Sequence, residues 1–206
     1  MIRSLHDGGL SLLTIDRPDR ANALTAAMLR DLHDAVAQAR RARSRALILT
    51  GTGTVFSAGA DLDQARAGLA TAPEWAALSQ ALADLPCLTV AALNGTLAGG
   101  AFGMALACDI RLTVPGARFF YPVMRLGFLP QPGDPARLAA LVGPARARMI
   151  LMAGARIDAA EALAWGLVDR ILPADALMDA ARALTADALA ADPAHVAAIK
   201  AATRQE

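Results

Sequence analysis

The stretch LTVAALNGTLAGGAFGMALACDIRLTV (88–114) predicts a strand, a turn, a helix and a second strand in close succession. Leu88–Leu93 is a short apolar run, which is typical of a strand covered on both faces. Asn94-Gly95 is a strong turn signal, and Gly99-Gly100 then opens a helix. Ile110–Val114 is strand-like again. This alternation of strand and helix predicts an α/β fold.

The same region carries no charge from Leu85 to Cys108, and hydropathy alone could assign it to a membrane. However, Asn94 and several glycines interrupt it, and its apolar period changes midway from that of a strand to that of a helix. We therefore expect a buried strand, loop and helix, and no membrane partner. The N-terminus MIRSLHDGG also lacks the apolar segment of a secretory signal, which favours a cytoplasmic location.

Strands and helices also alternate on both sides of this stretch. Upstream, Ile2–Leu5 and Leu10–Ile15 predict a hairpin, Thr25 is expected to cap a helix, and Ala46–Leu49 is another covered strand. The other predicted elements are strands at Ala117–Phe120 and Val168–Ile171, and helices at Glu74–Leu82, Ala136–Leu141, Arg146–Met152, Ala159–Trp165, Leu177–Ala190 and from Pro193 onward. The pattern predicts an α/β core over residues 1–140 and a helical region over residues 141–206.

The composition excludes several functional classes. Of the 206 residues, 55% are hydrophobic and 19% are charged, as expected for a compact domain and not for a disordered chain. The net charge is +1 and aromatic residues make up 4%, so the chain lacks the charge and the stacking surfaces of a nucleic-acid binder. Lys200 is the only lysine, which leaves Schiff-base chemistry without a candidate elsewhere.

Neither the cysteines nor the histidines predict a covalent link or a metal site. Cys87 and Cys108 lie in apolar surroundings without a CxxC motif, so buried, reduced thiols are expected. His6, His33 and His195 show no metal-ligand spacing, and we expect no metal.

Two loops supply small residues where an apolar strand ends. The first is VFSAGADL (55–62), and the second is NGTLAGGA (94–101), which leads into a helix. Small residues let a ligand approach the backbone closely, and free N–H groups at a helix start favour negative charge. Two such groups that converge would form an oxyanion hole. Tight packing between strand and helix explains each loop alone equally well.

Four motifs, in this order, resemble the crotonase family of enoyl-CoA hydratases and isomerases. They are Arg17-Pro18 with Asn22-Ala23-Leu24, FSAGADL (56–62), AALNGTLAGGAFGMALACDIRL (91–112) and GARIDAAEALAWGLVDRILP (154–173). The resemblance implies an α/β, crotonase-like spiral of ββα units with a short helical C-terminal region, assembled as a homotrimer or hexamer. It also implies an acyl-CoA thioester as substrate, so that coenzyme A enters as part of the substrate and no separate cofactor is needed.

The resemblance places an oxyanion hole at the backbone N–H groups of Ala60 and Gly100. The charge of a thioester enolate lies on the oxygen that these groups would bind, so they would lower the barrier to any reaction through an enolate. The residues that match the family's coenzyme A contacts are Arg20, Ala21, Ala23, Ala58, Asp61 and Leu62. Asp63 departs from the family, many members of which have a basic residue there.

Both glutamates of the family's hydratases are missing. One would fall at Gly103 and the other at Val123, and neither residue can move a proton. The resemblance therefore supports neither ordinary water addition nor an isomerase that depends on the second glutamate. Gln131 stands where some relatives have an Asp or Tyr beside the α-carbon of the substrate. Its amide could orient water or bind a carboxylate oxygen, or it is a plain surface side chain.

Three nearby side chains are further candidates for the reaction. Asp134 is the nearest carboxylate, but as the predicted N-cap before Pro135 it already has a structural role. Tyr121 and Arg125 flank Val123 and could enter the cavity, although packing or a surface ion pair explains both.

The residues are compatible with three functions. In the leading hypothesis the chain is an acyl-CoA enzyme that stabilises a thioester enolate and is not a standard hydratase, that is, a decarboxylase-like enzyme or an atypical lyase or isomerase. Decarboxylation of a malonyl-type thioester suits the residues best, because loss of carbon dioxide needs no protein base. In the second it is a hydratase or isomerase whose proton carrier is Asp134, Tyr121 or a residue of a neighbouring subunit. In the third it is a non-catalytic acyl-CoA-binding or assembly subunit.

The C-terminal end gives one more expectation. Members of the family usually continue in further helices beyond the point at which this chain ends, Arg204-Gln205-Glu206. We expect a neighbouring subunit to cover the apolar surface that this leaves, and the acyl pocket to be more open than is usual in the family.

Overall fold

The computed structural model describes residues 1–203, and Arg204-Gln205-Glu206, which enter the expectation about the C-terminal end, lie outside the described residues. The strands within that range are β1 (Ile2–Asp7), β2 (Leu10–Ile15), β3 (Ala46–Gly51), β4 (Val55–Ser57), β5 (Leu88–Leu93), β6 (Thr96–Ala98), β7 (Ile110–Thr113), β8 (Arg118–Phe120), β9 (Ile157–Asp158) and β10 (Arg170–Ile171).

The helices in the same range surround these strands. They are α1 (Ala26–Arg41), α2 (Leu62–Arg66), α3 (Glu74–Ala83), α4 (Phe102–Ala107), α5 (Val123–Leu126), α6 (Asp134–Val142), α7 (Pro144–Leu151), α8 (Ala159–Trp165), α9 (Leu177–Ala190) and α10 (Pro193–Ala202). Short 3-10 turns lie at Pro18–Arg20, Leu69–Thr71 and Gly99–Ala101. None of the helices in residues 1–203 combines the length and the hydropathy needed to span a bilayer.

The strands form two sheets that the chain visits in turn. The larger sheet has the order β1-β2-β3-β5-β7-β10, and the smaller one has the order β4-β6-β8-β9. Strands β2, β3, β5 and β7 pair in parallel, whereas β1 and β2 form the antiparallel hairpin. The chain passes from β3 to β4, from β5 to β6 and from β7 to β8, so each pass adds one strand to each sheet. This is the spiral of ββα units that the resemblance implies, and the α/β prediction is confirmed.

The core lies between the larger sheet and the helices packed on it. Strands β3 and β5 are buried almost throughout, as their apolar runs predict. The apolar face of α1 is also buried, and Thr25 caps this helix by accepting a hydrogen bond from the Met28 N–H. Cys87 and Cys108 are free and buried. Burial raises the pKa of their thiols to about 11 and about 12, which disfavours the reactive thiolate at neutral pH.

Several short elements differ from the sequence prediction. Strands β4 and β6 have three residues each and lie in segments that were expected to be loops. So few residues show no alternation that a sequence pattern could reveal. Strand β10 begins at Arg170 and not at Val168, because the Leu167 and Val168 N–H groups both donate to the Ala162 carbonyl and close the end of α8.

The C-terminal part of the chain is joined to the core by a buried arginine. Arg111 in β7 donates hydrogen bonds to the Leu167 carbonyl (3.0 Å) and the Cys108 carbonyl (2.6 Å). Strands β9 and β10, both beyond residue 140, pair with β8 and β7 of the core. The predicted division of the chain at residue 140 stays a prediction.

Candidate active site

A buried asparagine connects the segment after β2 to the segment around β4. The Asn22 Oδ1 accepts a hydrogen bond from the Arg17 N–H (2.8 Å). The Asn22 Nδ2 donates to the carbonyls of Thr52 (2.9 Å) and Val55 (2.7 Å). Asn22 has a φ of 54°, a left-handed conformation that asparagine tolerates better than most residues. Its side chain therefore fixes the two segments that carry the first predicted loop.

Asp61 completes this connection. The Arg17 guanidinium donates to the Asp61 carboxylate at 2.8 Å and to the Ala23 carbonyl at 3.0 Å. The hydrogen bond from Arg17 lowers the pKa of Asp61, which also caps α2 through the Gln64 N–H. Asp61 thus has a structural role here, and its predicted contact with coenzyme A stays a prediction.

The bridge between Leu24 and Ala60 sets the direction of the Ala60 N–H. In this parallel bridge the Leu24 N–H donates to the Gly59 carbonyl (2.7 Å), and the Asp61 N–H donates to the Leu24 carbonyl (2.8 Å). Successive N–H groups of an extended chain point in opposite directions. Since the Asp61 N–H points at Leu24, the Ala60 N–H points away from it.

The second loop meets the first backbone against backbone at Gly59. A Cβ atom on Gly59 would lie 3.0 Å from the Ala98 carbonyl oxygen and 3.5 Å from the Gly100 nitrogen. Gly100 is the second residue of the 3-10 turn before α4, where helical N–H groups have no acceptor of their own. Within residues 1–203, neither the Ala60 N–H nor the Gly100 N–H has a hydrogen-bond acceptor. The two loops thus bring two free donors to one place.

A cavity of about 250 Å³ lies in front of these two residues. The side chains and backbone on its wall are those of Ala58, Ala60, Leu62, Ala65, Ala70, Trp75, Gly99, Gly100, Tyr121, Pro122, Val123, Arg125, Leu126, Phe128, Leu129 and Gln131. Most of this wall is apolar, as a hydrocarbon chain requires, and its rim includes Leu62 (74% exposed) and Leu129 (85% exposed).

The predicted site residues divide into two groups around this cavity. Those on its wall are Ala58, Ala60, Leu62, Gly100 and Gln131. Those that are not on the wall are Arg20, Ala21, Ala23 and Asp61. Arg20 is exposed, and the Ala21 carbonyl accepts a hydrogen bond from the Ala58 N–H (3.0 Å). Arg20, Ala21 and Ala23 therefore lie on the segment that adjoins the cavity through Ala58. Asp61 lies in the first loop, between the wall residues Ala60 and Leu62.

Gln131 is a buried wall residue and not a surface side chain. It is 5% exposed, and its Nε2 donates to the Ala70 carbonyl at 2.7 Å. Its backbone N–H donates to the Tyr121 hydroxyl at 3.2 Å. The side-chain amide thus ties the segment before α6 to the segment between α2 and α3.

The prediction that Asp134 is an N-cap was wrong. The N-cap of α6 is Gly133, whose φ of 90° suits glycine, and Asp134 is the first residue of the helix. This left-handed turn directs the Asp134 side chain into the protein, where the residue is 1% exposed. One carboxylate oxygen, Oδ2, accepts a hydrogen bond from the Tyr121 hydroxyl (3.0 Å). The other, Oδ1, is buried and has no partner among the residues described.

The Asp134 carboxylate lies beside Gly103. A Cβ atom on Gly103 would lie 2.8 Å from Asp134 Oδ1, 3.2 Å from Asp134 Oδ2 and 2.4 Å from the Ser79 Oγ. These side chains therefore fill the space that a side chain at position 103 would need. Only a glycine leaves room for this arrangement, which puts a carboxylate from α6 beside the position in α4 at which the resemblance expects a glutamate.

Burial controls the protonation of this pair. It raises the pKa of Asp134 to about 7, against the opposing effects of the Tyr121 hydrogen bond and the Arg137 charge. Burial, together with the nearby Asp134, also raises the pKa of Tyr121 well above its usual value. At neutral pH Tyr121 is therefore protonated, and Asp134 exists in both forms.

The raised pKa of Asp134 predicts a pH-dependent stability. Between pH 4 and pH 7 the unfolded chain has lost the Asp134 proton while the folded chain retains it, so stability falls as pH rises through this window. A change from 3.8 to about 7 corresponds to roughly 4 kcal/mol. Asp134→Asn should therefore be more stable than the unmodified protein at pH 8 and lose this advantage at pH 4. Urea unfolding at both pH values tests this, and parallel pH profiles would contradict it.

Trp75 and Ser79 contact the site and were not among the predicted site residues. The Trp75 ring packs on Gly100, where a Cβ atom would lie 3.1 Å from it, and the Trp75 Nε1 donates to the Leu69 carbonyl (2.8 Å). Their spacing of four residues places both on one face of α3. This spacing was available in the sequence, but nothing in it indicates that the face meets α4. In the described part of the chain, no cluster of His, Cys, Asp and Glu is arranged to bind a metal.

Comparisons with known proteins find relatives of this chain both by sequence and by fold. The family model described as enoyl-CoA hydratase/isomerase matches residues 6–206. The carnitinyl-CoA dehydratase of Citrobacter koseri is 38% identical over 210 residues, which cover 97% of this chain and 80% of that protein. The enoyl-CoA hydratase of Bacillus anthracis has a TM-score of 0.89 at 30% identity, over 98% of this chain and 81% of that one. An enoyl-CoA hydratase/isomerase from Pseudoalteromonas atlantica gives 0.89 at 30% identity, over 97% and 80%.

Proposed function

This chain belongs to the enoyl-CoA hydratase/isomerase family, and we propose that it converts acyl-CoA thioesters through an enolate bound by the N–H groups of Ala60 and Gly100. The observation that carries the proposal is the pair of free N–H groups on touching loops at the wall of an apolar cavity. One such donor typically contributes roughly 3 kcal/mol to the stabilisation of the transition state.

Decarboxylation of a malonyl-type thioester is the reaction that this cavity supports best. Among the described residues, its wall includes no Asp, Glu or His that could take a proton from the α-carbon. Departure of carbon dioxide leaves its bonding electron pair in the enolate, so that step needs no base. Arg125 on the wall supplies a positive charge that suits the carboxylate before it leaves.

A second candidate is dehydration of a 3-hydroxyacyl-CoA, or migration of the double bond of a 3-enoyl-CoA. It is favoured by the Asp134 carboxylate beside Gly103, which stands in for a missing glutamate. The relatives named carnitinyl-CoA dehydratase point to the same class of reaction. In this case the proton would leave the α-carbon and reach Asp134 by way of Tyr121, since Asp134 itself is not on the cavity wall.

Coenzyme A and the subunit arrangement belong to the same proposal. The exposed Arg20 would meet a coenzyme A phosphate, and the backbone from Ala58 to Leu62 would border the pantetheine arm. We further propose a homotrimer or hexamer in the cytoplasm. A neighbouring subunit would cover exposed apolar side chains such as Leu129 at the cavity rim.

A panel of thioesters tests the proposed reaction. We expect release of carbon dioxide from malonyl-CoA or methylmalonyl-CoA, and no hydration of crotonyl-CoA. Conversion of a 3-hydroxyacyl-CoA or a 3-enoyl-CoA without decarboxylation would replace the first candidate by the second. Tight binding of acyl-CoA, measured by calorimetry, with no reaction of any thioester would indicate a non-catalytic binding subunit instead.

A further inference from the structure

We propose that Tyr121, connected to Asp134, delivers the proton to the α-carbon of the enolate, with Tyr121 as the catalytic residue and Asp134 as the positioning residue that resupplies it. This inference rests on the proposed function, because it assumes an enolate at the N–H groups of Ala60 and Gly100. It assigns a role in the proposed decarboxylation to a buried carboxylate that the departure of carbon dioxide does not use.

The hydrogen bonds of Tyr121 place it between the cavity and Asp134. Tyr121 lies on the cavity wall, whereas Asp134 lies behind it and does not reach the wall. The Tyr121 hydroxyl accepts from the Gln131 N–H (3.2 Å) and donates to Asp134 Oδ2 (3.0 Å). The Tyr121 ring is also stacked on Phe102 of α4, with 5.4 Å between ring centroids. The ring is therefore fixed, and the hydroxyl is the link between the carboxylate and a ligand.

A purely structural role does not account for this carboxylate. Asp134 Oδ1 is buried without a hydrogen-bond partner among the described residues, and an unpaired buried polar atom costs free energy. The carboxylate also depends on Gly103, since any Cβ atom there would collide with it and with Ser79. The arrangement thus gives up stability to keep an ionisable group beside the cavity.

In the proposed transfer, one proton moves from the Tyr121 hydroxyl to the α-carbon, and a second moves from Asp134 to Tyr121. The carbon–carbon π pair of the enolate takes the proton of the Tyr121 hydroxyl and forms the new C–H bond, while the enolate oxygen regains its double bond to carbon. When Asp134 is protonated, its carboxyl group donates to the Tyr121 oxygen across the same 3.0 Å contact, which frees the hydroxyl proton for the enolate. The carboxyl proton moves to the Tyr121 oxygen at the same time, which leaves Asp134 as a carboxylate. Water then returns a proton to Asp134 between turnovers, and tyrosinate never accumulates.

Few charged or titratable groups face Asp134. The elements packed around it contribute Tyr121 from the segment after β8, Arg137 from α6, Ser79 from α3 and Gly103 from α4. Only Tyr121 and Arg137 among these are titratable or charged, and the Arg137 guanidinium also donates to the Gln80 Oε1 (2.9 Å). With the pKa of Asp134 raised to about 7, the proton supply should decline as pH rises above neutrality.

Two reactions in D2O test this proton transfer. Decarboxylation of methylmalonyl-CoA should give propionyl-CoA with deuterium at one face of the α-carbon. Exchange of the α-hydrogen of propionyl-CoA, followed by NMR, reports the same transfer in both directions and needs no decarboxylation. We expect Tyr121→Phe and Asp134→Asn to slow exchange more than tenfold. We also expect Tyr121→Phe to give both faces of the product, because water then protonates the enolate.

The pH profile and a control variant separate this role from a structural one. The exchange activity of the unmodified protein should rise as pH rises through about 7, because removal of the α-hydrogen needs the Asp134 carboxylate to accept a proton, and Asp134→Asn should lack that step. Asp31→Asn, at an exposed position on α1, is the matched control and should match the unmodified protein. Normal exchange, stereochemistry and pH profile in Tyr121→Phe and Asp134→Asn would overturn this inference and leave the enolate proposal intact. Absence of both reactions in the unmodified protein would overturn both proposals.

Discussion

Replacing Gly100 with proline is expected to lower kcat by about a hundredfold to a thousandfold. Proline has no N–H, so this variant removes one of the two donors proposed to stabilise the enolate oxygen. At Gly100 the lost N–H has no acceptor within residues 1–203, and the 3-10 turn therefore loses no hydrogen bond of its own. The effect should fall on kcat, because the donor is most effective when the oxygen carries full charge.

Gly100→Ala is the control for this variant. Alanine keeps the N–H but adds the same Cβ atom, which would lie 3.1 Å from the Trp75 ring in both variants. A loss of activity caused only by pressure on Trp75 would therefore be shared by alanine and proline. Steady-state kinetics on the thioester that the substrate panel identifies, together with thermal unfolding of both variants, completes the comparison. Equal kcat values for the two variants would exclude Gly100 as a donor.

The sequence was sufficient to predict the covered strands of the larger sheet, and its resemblance to the family led to the two loops at the candidate site. Strands β3 and β5 are continuous apolar runs between clear turns, so their type follows from burial on both faces. The roles predicted for Ala60 and Gly100 depend on backbone N–H groups, and backbone position follows from the order of strands, turns and glycines. Features that depend on the path of the backbone could therefore be predicted.

Features that depend on side chains from distant segments could not be predicted. The Asp134 carboxylate reaches its position because Gly133 turns α6 inward and Gly103 leaves a space 30 residues earlier. The Asp-Pro pair at the start of α6 has a local explanation as an N-cap, and local patterns carry no information about the Gly103 space. Gln131 is similar, since its burial depends on contact with Ala70 in another segment.

On this fold, the backbone donors and the proton-carrying side chains can change independently. The donors proposed for the enolate oxygen belong to the backbone, so they would remain when side chains around the α-carbon change. A proton-carrying side chain could therefore come from α6 instead of α4, provided that position 103 is a glycine and leaves the space free for it. Gly103 and Asp134 fit this pattern, because the Asp134 carboxylate occupies space that any side chain at position 103 would need.

Gly95→Ala is expected to destabilise the fold by about 3 kcal/mol or more, because the new methyl group has no space. Its Cβ atom would lie 1.8 Å from the Thr54 carbonyl oxygen and 2.5 Å from the Thr54 carbonyl carbon, which are backbone atoms that no rotamer change can move. The adjacent Asn94 also holds the β5–β6 and β3–β4 connections together. Its Oδ1 accepts a hydrogen bond from the Gly51 N–H (3.0 Å), and its Nδ2 donates to the Gly53 carbonyl (2.9 Å). The β5–β6 connection would have to move away from the β3–β4 connection.

Gly116→Ala is the matched control, since Gly116 lies in the β7–β8 connection, at the equivalent place in the next turn of the spiral. A Cβ atom there meets nothing within 4 Å, so the change should stay within about 0.5 kcal/mol. Urea unfolding measures both differences. Because the connections that Gly95 joins lead to Ala60 and Gly100, any Gly95→Ala protein that folds should also show a reduced kcat. Equal unfolding midpoints for the two variants would mean that the loops do not meet as closely as the enolate site requires.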